Sequence, residues 1–77
     1  RIIVRGHTDA LGYRDPRRVN NWSLSAGRAE ATRQMLKGFG IADSRFRRIE
    51  GVADTELLIP KDPTDPRNRR ISIVLGP

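Results

Sequence analysis

The sequence predicts an α/β (α+β) fold in which a small mixed sheet carries one helix on one face. Three observations point to it. Ile2-Ile3-Val4, bounded by Arg1 and Arg5 and closed by Gly6, has the β-branched composition of a short buried strand. Ile71, Ile73 and Leu75 alternate with Ser72 and Val74 near the other end, which puts one face of a second strand against an apolar layer. Between them, Ala26 to Phe39 is rich in strong helix formers. A strand, a loop, a helix and a further strand make a right-handed crossover between parallel strands, to which the last strand is added.

The elements follow in order as one domain over residues 1–77. The first strand spans about residues 1–6. A long loop, 7–24, follows, because no hydrophobic period persists there and Gly12, Asp15-Pro16 and Asn20-Asn21 supply turn chemistry. Loops of that length in a compact domain tend to be functional. Ser25 is the expected N-cap of a helix over about 25–39, closed by Gly38 and Gly40, with Ala29, Thr32, Met35, Leu36 and Phe39 near its apolar face. Gly27, in the first turn, costs less than it would in a helix interior. A strand over about 45–52 is expected despite poor alternation, since Phe46 and Ile49 have opposite parity. Pro60, Pro63 and Pro66 then mark a second loop, 53–70, before the final strand at about 70–75.

Composition narrows the function. With 77 residues the apolar core is small, and with no cysteine neither a disulfide framework nor a cysteine-based zinc site is available. No apolar stretch approaches the roughly 20 residues needed to cross a bilayer. The chain begins Arg1-Ile2-Ile3 without a leader and reads as a piece of a longer one. Fifteen Lys and Arg against nine Asp and Glu, a net charge of +6, bring a polyanionic partner into consideration. The cations are dispersed, however, and only 5% of residues are aromatic, too few for a single-strand stacking platform.

The chemistry-bearing residues cluster around the first loop. With Ser25 as cap, Arg28 falls at the third helical position, where a capping box prefers Glu or Gln and the helix dipole disfavours a cation. An anion beside it would compensate. Asp9 lies just past the carboxyl end of the first strand, the edge at which the crossover helix begins. A carboxylate and a guanidinium lining one crevice suit a zwitterion, with Asp9 on an ammonium and Arg28 on a carboxylate. A plain Asp9–Arg28 salt bridge is the simpler alternative. His7 with Ser23 or Ser25 does not make a hydrolase, because no nucleophile elbow or oxyanion motif accompanies them, and His7 is expected to hydrogen-bond at the strand end. Asp62 and Asp65 lack the glycine and closing glutamate of a calcium loop, so no metal or other cofactor is expected. Trp22 is expected to act as a packing staple before the helix, and Arg67, Arg69 and Arg70 as a solvated edge.

Gly6-His7-Thr8-Asp9, Asn21-Trp22-Ser23-Leu24-Ser25 with Arg28-Ala29, and Asn68-Arg69-Arg70-Ile71 occur in the order in which the OmpA-like peptidoglycan-binding domain carries its motifs. The chain resembles that family over nearly its whole length. The Asn-Trp-x-Leu-Ser run and the Asp-Pro-Arg-Asn-Arg-Arg approach to the last strand are similar to its flagellar-motor members. The resemblance implies that Asp9 and Arg28 hold the diaminopimelate of the peptidoglycan stem peptide. Asn21 would fix the loop or touch the peptide and Arg69 would border the site, with Thr8 and Leu24 of the same motifs in the ligand-binding set. It also implies an OmpA-like βαβ sandwich whose first strand and helix are missing from this chain. The partner is then peptidoglycan, not nucleic acid, and the parent is a periplasmic, membrane-anchored homodimer that fixes a motor stator to the wall without catalysis. A basic nucleic-acid-binding module using Arg45, Arg47 and Arg48, or Arg67, Arg69 and Arg70, is the alternative, as is another wall anchor of the same family.

Overall fold

The computed structural model describes residues 1–11 and 20–77, so the turn chemistry expected at Gly12 and Asp15-Pro16 lies outside the described residues. Strand β1 (Ile2–His7), helix α1 (Asn21–Gly38), strand β2 (Phe46–Gly51) and strand β3 (Arg70–Leu75) form a three-stranded sheet in the order β2-β1-β3. β1 pairs with β2 in parallel and with β3 antiparallel, so the sheet is mixed and the helix is the crossover between β1 and β2. This is the α/β arrangement that the segment order predicts.

The irregular parity of β2 has a local cause. Its register against β1 steps from Ile2↔Phe46 to Ile3↔Arg48, leaving Arg47 as the extra residue of a bulge. Phe46 and Ile49 therefore stand opposite Ile2 and Val4 on the same face, although their spacing in the sequence would put them on opposite ones. That face meets α1. Ile2, Val4 and Ala29 form the buried centre, with Ile41, Phe46 and Ile71 packed against it. On the other face Arg5 reaches Glu50 of the neighbouring strand at 2.7 Å and Glu56 at 3.4 Å.

Two glycines set how closely the helix approaches the sheet. A Cβ on Gly6 would lie 2.0 Å from the Ser25 carbonyl oxygen, and one on Gly51 would lie 2.5 Å from the Ala26 nitrogen. Any larger residue at either position would have to push backbone from backbone. The helix is thereby seated over β1 and β2, while Ile73 and Leu75 of β3 remain exposed.

The helix departs from expectation at its start. Its N-cap is Asn20, not Ser25: the Asn20 side chain accepts from Ser23 N at 2.9 Å, and Ser23 Oγ accepts from Asn20 N at 3.1 Å. This reciprocal box satisfies two of the free amides that open a helix, which is why the helix begins within the segment expected to be loop. Trp22 consequently lies inside the helix and is 57% exposed, so it is not a packing staple. Gly27 becomes an exposed interior residue and carries the full helix penalty of about 1 kcal/mol relative to alanine. The expected apolar face also shortens. Ala29 is buried and Thr32 and Leu36 half-buried, but Met35 and Phe39 are exposed. Eighteen helical residues span about 27 Å against roughly 20 Å for a six-residue strand, so the last turns overhang the sheet.

Candidate ligand site at the carboxyl end of the first strand

Beyond Gly6 the chain buries polar groups. His7, Thr8 and Asp9 are 1%, 2% and 5% exposed, and Ser25 and Asn68 are fully buried beside them. Buried polar atoms need partners, and here the partners come from every element that converges on this end of the sheet. Thr8 donates its backbone N–H to Ala53 O at 2.8 Å and its hydroxyl to Asp9 O at 2.9 Å. Ala53 N donates to Ser25 Oγ at 3.1 Å, so Ala53 links the exit of β2 to both β1 and α1. It does so at a φ of 52°, a left-handed conformation that a non-glycine residue keeps only where its surroundings hold it.

Asn68 organises the opposite wall. Its Oδ1 accepts from Ile59 N at 2.7 Å and its Nδ2 donates to Asp62 O at 2.9 Å and to Pro63 O at 3.3 Å. Pro63 O also accepts from Ala10 N at 2.8 Å, which joins this loop to the segment carrying Asp9. Asp65 caps the short 3₁₀ turn Pro66–Asn68 and pairs with Arg67, whose guanidinium holds the Asp65 carboxyl down at about 2. Arg70 donates to Asn68 O at 3.4 Å and Glu56 O at 2.9 Å. The expected solvated edge is therefore a set of locally engaged guanidinium groups.

Asp9 stands at the centre. Its Oδ1 accepts from Leu11 N at 3.0 Å and its Oδ2 lies 3.4 Å from Arg69 Nε. Asn21, the first helical residue, donates Nδ2 to Asp9 O at 3.3 Å and to Leu11 O at 3.2 Å, tying the Asp9 segment to the start of α1. Leu24 is half-buried one turn further on, its N–H bonded to Asn20 O at 2.9 Å.

The structure thus brings Thr8, Asp9, Asn21 and Arg69 together directly. Arg28 is different. As the eighth residue of α1 it lies well beyond the first turn, so the argument that it needs an anion because of the helix dipole does not hold. It is half-buried and shares the face of Asn21 and Ser25, seven and three residues before it, but no ion pair joins it to Asp9. Among the described residues the guanidinium beside Asp9 is that of Arg69. Ser25 is neither the cap nor a free hydroxyl: it donates to Trp22 O at 3.0 Å and accepts from Ala53 N.

His7 hydrogen-bonds at the strand end, as expected. Its Nε2 is 2.8 Å from Ser72 Oγ on β3, and its Nδ1 has no hydrogen-bond partner among the described residues. Burial, followed by the nearby Arg70 charge, lowers its pKa below the ordinary histidine value.

Sequence reasoning missed Asn68, Ala53 and Gly51 as organisers of this end. For Asn68 a signal existed, because an asparagine within a proline-rich loop can hold several backbone groups at once. The left-handed Ala53 gives no sign of itself in residue type.

The chain is 39% identical over 75 residues to a truncated Escherichia coli K12 protein, LafU, described as a candidate flagellar export/assembly protein; the match covers 97% of this chain and 35% of that one. It is 40% identical over 76 residues to Motility protein B of Escherichia coli K12, covering 97% of this chain and 25% of that protein. The chain therefore spans about a quarter to a third of these relatives. The OmpA family pattern matches residues 1–70, which include β1, the Asp9 segment, α1 and the loop that carries Asn68 and Arg69; the chain belongs to the OmpA family.

Proposed function

We propose that this chain is a non-catalytic peptidoglycan anchor that recognises the diaminopimelate of the stem peptide. The observation that carries the proposal is the Asp9 carboxylate, buried at the carboxyl end of β1 with one oxygen held by a backbone amide and the other turned toward a cation. Asp9 would take the ligand's ammonium and Arg28 its carboxylate, with Asn21, Thr8 and Leu24 shaping the wall and Arg69 at its margin. The similarity to a motility protein and to LafU supports a periplasmic role in fixing a flagellar stator to the wall. The parent would be an inner-membrane-anchored homodimer. Weak single-site affinity suffices there, because two sites on a polymeric ligand raise the effective concentration of the second contact.

Co-sedimentation with purified diaminopimelate-type peptidoglycan tests this. The native chain is expected to pellet at low and high salt, and Asp9→Ala and Arg28→Ala to weaken pelleting by roughly ten- to hundredfold, the loss expected of one charge-assisted contact. Pelleting that survives both substitutions but disappears in salt would reduce the interaction to general attraction between the basic chain and an anionic wall.

A further inference from the structure

We propose that Arg69 gates Asp9 by ion-pair exchange and so makes the site select ligands that carry an ammonium and a carboxylate on the same carbon. The inference rests on the wall-anchor function proposed above and adds to it a residue that determines specificity.

The Asp9 side chain is only 7% exposed, and its Oδ1 is already taken by Leu11 N–H. The remaining oxygen, Oδ2, faces Arg69 Nε at 3.4 Å, so an incoming ammonium meets an oxygen that already has a cation. Arg69 combines a fixed backbone with a free arm. Its N–H donates to Pro66 O at 3.0 Å and it follows the fully buried Asn68, which holds the loop through three backbone groups. Its side chain is 48% exposed, and among the described residues it makes, apart from Asp9, only a long contact to Pro66 O at 3.5 Å. The guanidinium can swing away from Asp9 while its Cα stays at the edge of the site.

Charge bookkeeping then separates two ligand classes. A simple amine that reaches Asp9 replaces one ion pair by another and costs Arg69 its pair with Asp9. An amino-acid centre supplies both charges: its ammonium takes Asp9, and the adjoining carboxylate, which Arg28 holds from the helix side, also receives the displaced Arg69 guanidinium from the margin, whose planar fork suits a carboxylate. One ion pair becomes two. Arg69 thereby disfavours ammonium groups that have no neighbouring carboxylate.

The test is a titration of the native chain, Arg69→Gln and Arg69→Lys with meso-diaminopimelate and with 1,5-diaminopentane, which has the same two amines and no carboxylates. Binding is followed at the backbone amides of Thr8 and Leu11, with amide dispersion as the check on folding. The native chain is expected to prefer diaminopimelate by about tenfold, a ratio in the range of one favourable charged contact. In Arg69→Gln the diamine should bind more tightly and the preference fall to about twofold, with Arg69→Lys in between because it keeps the charge and loses the fork. Equal weakening of both ligands in Arg69→Gln would overturn the gate and leave the wall-anchor function standing, since Arg69 would then merely shape Asp9. Native chain that shifts with neither ligand would overturn the wall-anchor function and the gate with it.

Discussion

The two halves of β1 solve opposite problems. Ile2 and Val4 bury hydrocarbon against Ala29, and the neighbouring side chains of that half, Ile41 and Phe46, are apolar and partly exposed. Gly6 to Asp9 bury a backbone contact with the helix and three polar side chains: His7 meets Ser72 of β3, Thr8 bonds the Asp9 carbonyl, and Asp9 takes the Leu11 amide and faces Arg69. The apolar half needs only roughly correct volume, whereas the polar half needs specific partners at specific distances. A domain this small gains little stability from polar burial, and the polar half is the one in which the proposed ligand site lies.

Substitutions that attack the polar half through its backbone should break this contrast most severely. Gly6→Ala places a methyl group against the Ser25 carbonyl, with no flexible side chain there to yield. It is expected to cost about 4 kcal/mol and to leave the chain largely unfolded, as urea titration would show. Retention of native stability would mean that the helix can lift from β1 without loss.

Asn68→Ala should cost about 2 kcal/mol, since it strands the Ile59 amide and removes the donor to the Asp62 and Pro63 carbonyls. Because the same loop delivers Arg69 to Asp9, hydrogen exchange should rise together at Ala10 and Arg69, whereas Val4 should stay protected. Uniform loss of protection would merge the two halves into a single cooperative unit and undo the comparison.

The smallest expected effect depends on pH. The folded-state pKa of His7 lies below the unfolded value of about 6.5, so the unfolded chain binds the extra proton first as pH falls. The stability this confers is complete above about pH 6.5 and declines as pH drops from there toward the folded value. A protonated ring would be buried among Arg70, Glu56, Arg5 and Ser72, and it is burial first and the Arg70 charge next that oppose it. Melting temperature measured between pH 7.5 and 5 should fall in the native chain and stay flatter in His7→Gln. Asp65 titrates in a separate window: its carboxyl is held at about 2, so its contribution is present above the ordinary carboxylate range of about 4 and is lost only below it.

Much of the framework was legible from residue type. The β-branched runs at both ends, the helix formers between them and the prolines of the second loop correspond to elements of the structure, and β3 lies at 70–75 as the alternation implies. The helix start was not, because Asn20 and Ser23 can serve a turn or a cap equally well, and Ser25 satisfies the same sequence rule one turn later. That error propagated. Residue type alone puts Arg28 at a first-turn position and Arg69 on a solvated edge; it is the motif resemblance that places Arg69 at the border of the site, where it reaches Asp9.

The sequence by itself determined the small α/β framework, the polar character of the segment after β1 and the family to which the motifs belong. Those follow from local propensity, periodicity and residue type, which are properties of neighbours along the chain. Only the tertiary structure decided that Phe46 and Ile49 share a face, that Gly6 and Gly51 admit the helix backbone, and that Asn68 carries Arg69 to Asp9. Each depends on contacts between residues far apart in the chain. A bulge, a close backbone approach and a buried amide network exist only once those residues are brought together, so no window of sequence contains them.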